Sequence, residues 1–293
     1  MHRSGFVNII GNPNVGKSTL MNALVGETLS IITSKAQTTR HRIMGIVSGE
    51  DFQIVYSDTP GILKPSYKLQ ESMMKFVTGA LTDADVILYV TDTVEQSERS
   101  AEIVDSIRRS GIPTVVVINK IDLSTPEALE ALVDKWQAEI PGAQVVPTSA
   151  KENFNIEGLF RTILSLLPEG PAFYPKDTLT DKTLRFFASE IIREKILKFY
   201  DKEIPYCCEI EIESYKEEPT IDRIAATIYV ARDSQKGILI GHKGETLKRV
   251  GQTAREDMEQ FLGKKVFLQL FVKVSDDWRN NERQLRRFGY EQE

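Results

Sequence analysis

The sequence predicts two α/β domains in tandem, a first built on a mostly parallel sheet flanked by helices and a second, smaller one. Three observations predict it. Short β-rich runs alternate with helix-like stretches through the first half; the pattern breaks at a stretch with two prolines, residues 170–177; and a helix–strand–strand–helix–strand order follows.

In the first domain, residues 6–10, 43–47, 52–56, 86–90, 114–118 and 145–147 read as strands. Residues 97–109 and 126–139 read as helices, the latter with Ser124 or Thr125 as N-cap. Apolar strands separated by helices imply a sheet covered on both faces, with ligands at the carboxyl ends of the strands. One residue is out of character: polar Asn8 sits inside the apolar run 6–10. The expected boundaries are a first domain at 1–169, a linker at 170–182 and a second domain at 183–293.

The second domain reads as a helix over 183–200, strands over 207–213 and 224–231, a glycine-punctuated turn, a helix over 245–262 and a strand over 266–274. The last strand alternates Val266, Leu268, Leu270, Val272 and Val274 with Phe267, Gln269, Phe271 and Lys273. Read as strand, the adjacent Cys207 and Cys208 point to opposite faces, and neighbours in sequence rarely reach disulfide geometry. With no Cys/His cluster and no signal-like or membrane-length apolar run, a reducing, intracellular setting is expected. The 293 residues are 41% hydrophobic and 27% charged, which excludes a collagen-like or largely disordered chain.

Four motifs give the first domain its chemistry. Gly11-Asn12-Pro13-Asn14-Val15-Gly16-Lys17-Ser18 fits the phosphate-loop pattern, directly after a strand and opening a helix that continues through Thr19. Its glycines let backbone N–H groups face phosphates, Lys17 reaches the β- and γ-phosphates, and Ser18 offers a hydroxyl to Mg²⁺. Asp58-Thr59-Pro60-Gly61 ends the neighbouring strand, where a carboxylate holds Mg²⁺ and the Gly61 N–H touches the γ-phosphate.

Asn119-Lys120-Ile121-Asp122 chooses the base. Asp122 can accept from guanine N1–H and the N2 amino group, whereas adenine N1 would face that carboxylate unpaired, so GTP is expected over ATP. Ser149-Ala150-Lys151 completes the site with backbone groups for guanine O6. The order and spacing resemble GTPases of the translation-factor-related class. Gln37-Thr38-Thr39-Arg40 falls where those proteins keep a mobile switch; Thr39, directly before the arginine, is favoured over Thr38 as the residue that ligates Mg²⁺ while the γ-phosphate is present. The residue after Gly61 is Ile62, which cannot orient water as the glutamine of Ras-like proteins does, so intrinsic hydrolysis should be slow. Lys17, Thr39 and Gly61 are the catalytic candidates. Asn14 stands where a potassium-using subset carries asparagine, making K⁺ an expected auxiliary cation.

In the second domain, Gly241-His242-Lys243-Gly244 precedes a helix, with Lys236, Gly237 and Ile240 before it and Lys248 and Arg249 after it. The G-x-x-G tetrapeptide with this element order resembles a type II KH domain, in which a turn free of bulky side chains admits a single-stranded RNA backbone. The apolar positions Leu247, Val250, Ala254, Met258 and Phe261 should form the core-facing stripe of the following helix. The basic run 278–287 reads as a solvated helix.

The whole chain resembles the Era family, bacterial GTPases of small ribosomal subunit assembly. The resemblance rests on the four nucleotide motifs, on residues 37–42 and 189–196, on Ser234-Gln235-Lys236-Gly237-Ile238-Leu239-Ile240-Gly241, and on Val272-Lys273-Val274 with Trp278 and Gly289-Tyr290. It implies binding to small-subunit ribosomal RNA near its 3′ end, no DNA partner, a monomer, and a cytoplasmic protein with part at the inner face of the membrane. A membrane or signalling GTPase whose C-terminal domain binds protein is the alternative; a tandem-GTPase ribosome factor is disfavoured because the sequence holds one set of nucleotide motifs.

A net charge of −5 speaks against nucleic acid only on average. Residues 209–222 hold one basic and six acidic side chains, whereas residues 232–249 hold five basic and two acidic. A basic strip therefore borders the glycine loop.

Overall fold

The computed structural model describes residues 2–94 and 101–290. Contacts divide the chain into one unit of residues 1–65 with 73–181 and a second of residues 66–72 with 182–293. The first unit runs β1 (Arg3–Gly11), α1 (Lys17–Val25), β2 (Ile43–Ser48), β3 (Phe52–Asp58), α2 (Lys68–Thr82), β4 (Val86–Asp92), α3 (Ala101–Ser110), β5 (Thr114–Asn119), α4 (Pro126–Glu139), β6 (Gln144–Pro147) and α5 (Ile156–Leu166).

Its strands lie in the order β2-β3-β1-β4-β5-β6. β2 is antiparallel to β3 and the remaining pairings are parallel. The central strands are continuous apolar runs because both faces are covered: every residue of β4 and β5 is buried. On one face Ile10, Ile87, Tyr89, Val116 and Ile118 pack with Val77 of α2, Ile103, Val104 and Ile107 of α3, and Trp136 of α4. α4 starts on Thr125, whose side chain accepts from Ala128 N, with Pro126 in the first turn, as the sequence predicts. Residues 97–100 of the helix expected at 97–109 lie outside the described residues. The helices α2 and α5 were not anticipated.

Of the linker expected at 170–182, residues 170–181 run along the first unit. Phe173 N and Tyr174 N donate to Gln53 Oε1, Ile46 N donates to Leu179 O at 2.8 Å, and Thr180 Oγ1 donates to Met44 O at 2.6 Å. The stretch thereby covers backbone groups that edge strand β2 would otherwise leave open.

The second unit contains α6 (Leu184–Phe199), α7 (Ile204–Cys207), β7 (Glu209–Glu217), β8 (Ile221–Val230), α8 (Asp233–Ile240), α9 (Glu245–Leu262), β9 (Lys265–Val274) and α10 (Glu282–Arg287). Its sheet has the order β7-β8-β9, with β8 antiparallel to β7 and parallel to β9. Ile192 and Ile196 of α6, Val250, Ala254 and Met258 of α9, and Ile224, Ala226, Ile228 and Val266 of the sheet form the buried interior.

Three expectations are corrected. Cys207 closes a helical turn instead of opening a strand, and both thiols are buried. Residues 233–240, for which the sequence offered no element, form α8, which Gly241 ends at φ 74° and ψ 180°. Phe261 is exposed and leans on the Phe187 ring, 5.3 Å between centroids, so it lies outside the core stripe. The basic segment at 278–287 is a short turn followed by α10, pinned by apolar anchors: Trp278 is fully buried and donates through Nε1 to Cys207 O at 2.9 Å, and Leu285 is buried.

Candidate functional site

The phosphate loop forms because Gly16 adopts φ 95°, a left-handed conformation that turns the chain from β1 into α1. A Cβ there would also lie 2.3 Å from Asn119 Nδ2. Lys17 is buried, and its Nζ donates to Gly11 O at 3.0 Å and Asn12 O at 2.8 Å, holding the ammonium inside the loop. Ile62 N donates to Gly11 O, and Gly61 packs so tightly on Pro13 that a Cβ would lie 2.8 Å from its Cα. The Ile62 side chain turns into the apolar core.

Three oxygen-bearing side chains from three segments converge beside Lys17. Ser18 Oγ donates to Asp58 Oδ2 at 2.6 Å, Thr39 Oγ1 lies 2.9 Å from Ser18 Oγ, and Thr39 Oγ1 donates to Asp58 Oδ2 at 3.4 Å. Thr38 turns away, to Thr33 Oγ1 and Lys35 O. Burial pushes the Asp58 carboxyl above its ordinary range, against opposing pulls from the Ser18 hydrogen bond and the Lys17 charge. Its Oδ1 is buried without a hydrogen-bond partner. A buried carboxylate with an unsatisfied oxygen, flanked by two hydroxyls, is a hard oxygen donor set that fits Mg²⁺. Thr59, by contrast, spends its hydroxyl on Ile9 O at 2.7 Å, facing the sheet.

The end of the site at residues 119–122 is built around Asn119. Its Nδ2 donates to Val15 O at 2.9 Å, and its Oδ1 accepts from Ala150 N at 2.9 Å, so one buried carboxamide ties the phosphate loop to the 149–151 loop. Ser149 Oγ donates to Asp122 Oδ1 at 2.6 Å and fixes that carboxylate. Lys120 Nζ donates to Asn14 O at 2.6 Å and Asp92 Oδ2 at 2.5 Å, while Asn14 holds φ 65°. Lys151 is exposed and paired with Glu152. A cavity of about 460 Å³ is lined by Asn14, Gly16–Thr19, Thr39, Gly61, Lys120 and Lys151, and also by residues 31–35, which sequence reasoning missed.

Two further residues were missed. Asp92 lies opposite Asn119 in the β4–β5 register, and its place at the carboxyl end of a central strand was a usable signal. Arg42 is buried: its Nε donates to Ser57 Oγ at 2.5 Å, Nη2 to Asn8 Oδ1 at 3.1 Å, and both Nη atoms to Asp83. Asn8 Nδ2 in turn donates to Ala80 O and Asp83 Oδ1 at 2.7 Å. The odd polar residue of β1 is thus part of a network joining the segment before β2 to the end of α2.

In the second unit, Gly241–Gly244 links α8 to α9, with Gly241 at φ 74° and Gly244 at φ 78°. A Cβ on Gly241 would lie 2.2 Å from Thr246 Oγ1. His242, Lys243, Lys248 and Arg249 are exposed, Gly237 likewise, while Lys236 and Ile240 are half-buried. The Arg249 guanidinium lies 4.2 Å from the Phe199 ring centroid, which fixes the direction of its charge.

A model of the 50S ribosome-binding GTPase family matches residues 6–120, and a KH-domain model matches residues 203–279. GTPase Era of Alkaliphilus metalliredigens (strain QYMF) is 45% identical over 293 residues, covering 99% of each chain. The chain belongs to the Era GTPase family. Among solved structures, Era in complex with MgGDPNP and nucleotides 1506–1542 of 16S ribosomal RNA has a TM-score of 0.95 at 40% identity, covering all of both chains. A variant of Aquifex aeolicus Era bound to GDP·AlF4⁻ has the same TM-score and identity over 99% of this chain and all of that one. The Era family thus accounts for both units, the nucleotide loop and the G-x-x-G loop alike.

Proposed function

We propose that the chain is a GTP-hydrolysing switch that binds small-subunit ribosomal RNA near its 3′ end through the KH domain and acts in assembly of the small ribosomal subunit. The observation that supports it best is the convergence of Ser18, Thr39 and Asp58 beside Lys17. It occurs in a chain similar over its full length to an Era bound to MgGDPNP and 16S ribosomal RNA.

In this reading Lys17 and the loop N–H groups hold the β- and γ-phosphates, and Gly61 meets the γ-phosphate through its backbone N–H. Ser18, Thr39 and Asp58 would hold Mg²⁺, which when bound neutralises charge developing on the phosphates. Thr39 lies on the segment leading into β2, so its loss of a γ-phosphate-dependent partner releases that segment after hydrolysis. Because Ile62 is buried in the core, water must be oriented by other groups, and intrinsic turnover is slow. Asn14 supplies a site for K⁺ near the phosphates; equal turnover in sodium and potassium buffers would remove that part of the reading.

Asp122 selects guanine, with Asn119, Ser149, Ala150 and Lys151 shaping the base pocket. In the KH domain, residues 241–244 admit the RNA backbone while Lys236, Lys248 and Arg249 meet phosphates. No helix among the described residues is long and apolar enough to cross a membrane; the proposed location is the cytoplasm, in part at the inner membrane face, as a monomer.

The test is a pair of variants. Asp122→Asn should shift preference from GTP to xanthosine triphosphate, measured by competition for bound nucleotide. Retained GTP selectivity overturns the base assignment. His242→Asp with Lys243→Asp should weaken binding to RNA of the 1506–1542 sequence, and unchanged affinity overturns the clamp.

A further inference from the structure

We propose that the outer face of the second unit's sheet, along β9, is an additional single-stranded RNA contact made by residues other than the glycine loop. β9 has two unlike faces. Val266 is buried, and Leu268, Leu270 and Val272 are half-buried on the side that meets α9. The other face presents Lys265, Phe267, Gln269, Phe271 and Lys273, all exposed, with Phe267 at 43% and Phe271 at 48%. Large aromatics this open on an edge strand gain nothing for folding and invite association.

The pattern along that row is cation, ring, amide, ring, cation. At about 3.3 Å per residue the two rings stand about 13 Å apart, far enough to hold two separate bases with the Gln269 amide between them for a base edge. Aromatic faces stack any base, and flanking cations meet the phosphates. The parallel register sets Arg223, Ala225 and Thr227 of β8 beside Phe267, Gln269 and Phe271. The Arg223 guanidinium lies 5.3 Å from the Phe267 centroid, extending the flat surface with a second stacking plane. Small Ala225 leaves the floor between the rings low.

The cations that flank the rings are ion-paired in this structure. Lys273 pairs with Glu213 at 2.7 Å, Lys265 with Glu259 at 3.4 Å and Arg223 with Glu218 at 3.1 Å. The Lys273 and Arg223 pairs are solvent-exposed and of little strength, exchangeable for phosphate, whereas Glu259 is largely covered and is shared with Arg255. Of the β7 carboxylates, Glu213 reaches Lys273 and Glu211 is taken up by Arg287, while Glu217 stands on the edge farther from the β9 row. The far end of the face is already covered by the chain itself: Phe288 packs on Tyr229 at 5.4 Å, and Arg287 pairs with Glu211. A protein-docking patch would be contiguous and apolar; here a polar residue separates the rings and cations bound them, which fits bases and phosphates.

The inference rests on the RNA-binding reading of the second unit but on different residues. The full chain, loaded with a non-hydrolysable GTP analogue, is titrated into fluorescein-labelled RNA of the 1506–1542 sequence. Phe267→Ala with Phe271→Ala should weaken binding about 30-fold or more, the loss expected for two stacked bases, at an unchanged melting temperature. Phe267→Tyr with Phe271→Tyr should bind within about threefold of the parent, because a ring is restored. Wild-type affinity in the double alanine variant, while His242→Asp with Lys243→Asp still loses RNA, overturns the sheet contact and leaves the loop reading intact. Wild-type affinity in both variants overturns the RNA reading itself. If the double alanine variant melts early, 4-thiouridine crosslinking of the unmodified chain decides: crosslinks within residues 265–273 support the contact, and crosslinks confined to residues 236–249 overturn it.

Discussion

Asn119→Ala removes a side chain that joins the phosphate loop to the 149–151 loop. The buried carboxamide satisfies Val15 O and Ala150 N, each at 2.9 Å. Truncation leaves one carbonyl and one N–H unpartnered in a site where Asn119 is 2% exposed. Each unsatisfied buried group costs about 1–3 kcal/mol, so the nucleotide-competent arrangement should lose about 2–6 kcal/mol. At 1.4 kcal/mol per decade, that is a fall in affinity of about 30-fold at the least.

Titration of a fluorescent GDP analogue, with GDP and GTP as competitors, measures it, and both nucleotides should weaken together because the loss precedes the γ-phosphate. Asn119→Asp keeps an acceptor for Ala150 N but sets a second carboxylate oxygen against Val15 O and buries a charge, so it should weaken both nucleotides at least as far as the alanine variant. An alanine variant within threefold of the parent for both nucleotides would refute the view that this carboxamide assembles the pocket.

Three other outcomes follow from the same geometry. Gly16→Ala combines a disfavoured φ of 95° with a Cβ 2.3 Å from Asn119 Nδ2; it should displace that carboxamide and reduce GDP binding at least as far as Asn119→Ala, and parental affinity would contradict the packing argument. Asp92→Asn removes the carboxylate that holds Lys120 on Asn14 O, so GDP affinity should fall about tenfold, the worth of one charged hydrogen bond; stopped-flow release of the fluorescent analogue should show the loss as faster dissociation. Arg42→Met leaves Asn8 Oδ1 and Ser57 without their donor, while half-exposed Asp83 regains water, so its part of the loss is screened. A destabilisation of about 2–3 kcal/mol should appear as a lowered urea midpoint for the first unit, and an unmoved midpoint would show the network to be idle.

The places of the phosphate loop, the Asp58 strand end and the Asn119–Asp122 turn were legible because each is a local pattern of consecutive residues at a strand end. The choice of Thr39 over Thr38 rested on its place before Arg40; in the structure the Thr39 hydroxyl faces Ser18 while that of Thr38 faces Lys35 O. What escaped was carried by distant pairs. Asp92 matters through a residue 28 positions away, and Arg42 through partners on β1, β3 and the end of α2. Asn8 stood out as polar in an apolar strand, yet its partners could not be named from periodicity. α8 escaped because Gly237 and the apolar residues 238–240 imitate a strand entering a turn; tertiary packing of Leu239, fully buried, overrides that local preference. Cys207 escaped because Pro205 in the first turn begins a helix too short to show a period.

The central claim is that the nucleotide bound by the first unit sets RNA engagement by the second. The most direct measurement is the affinity of the full chain for labelled RNA of the 1506–1542 sequence, with Mg²⁺ and either GDP or a non-hydrolysable GTP analogue. The account predicts tighter binding with the GTP analogue, a difference that vanishes in Thr39→Ala while Asp122 still selects guanine. Equal RNA affinity in the two nucleotide states of the unmodified chain would contradict it.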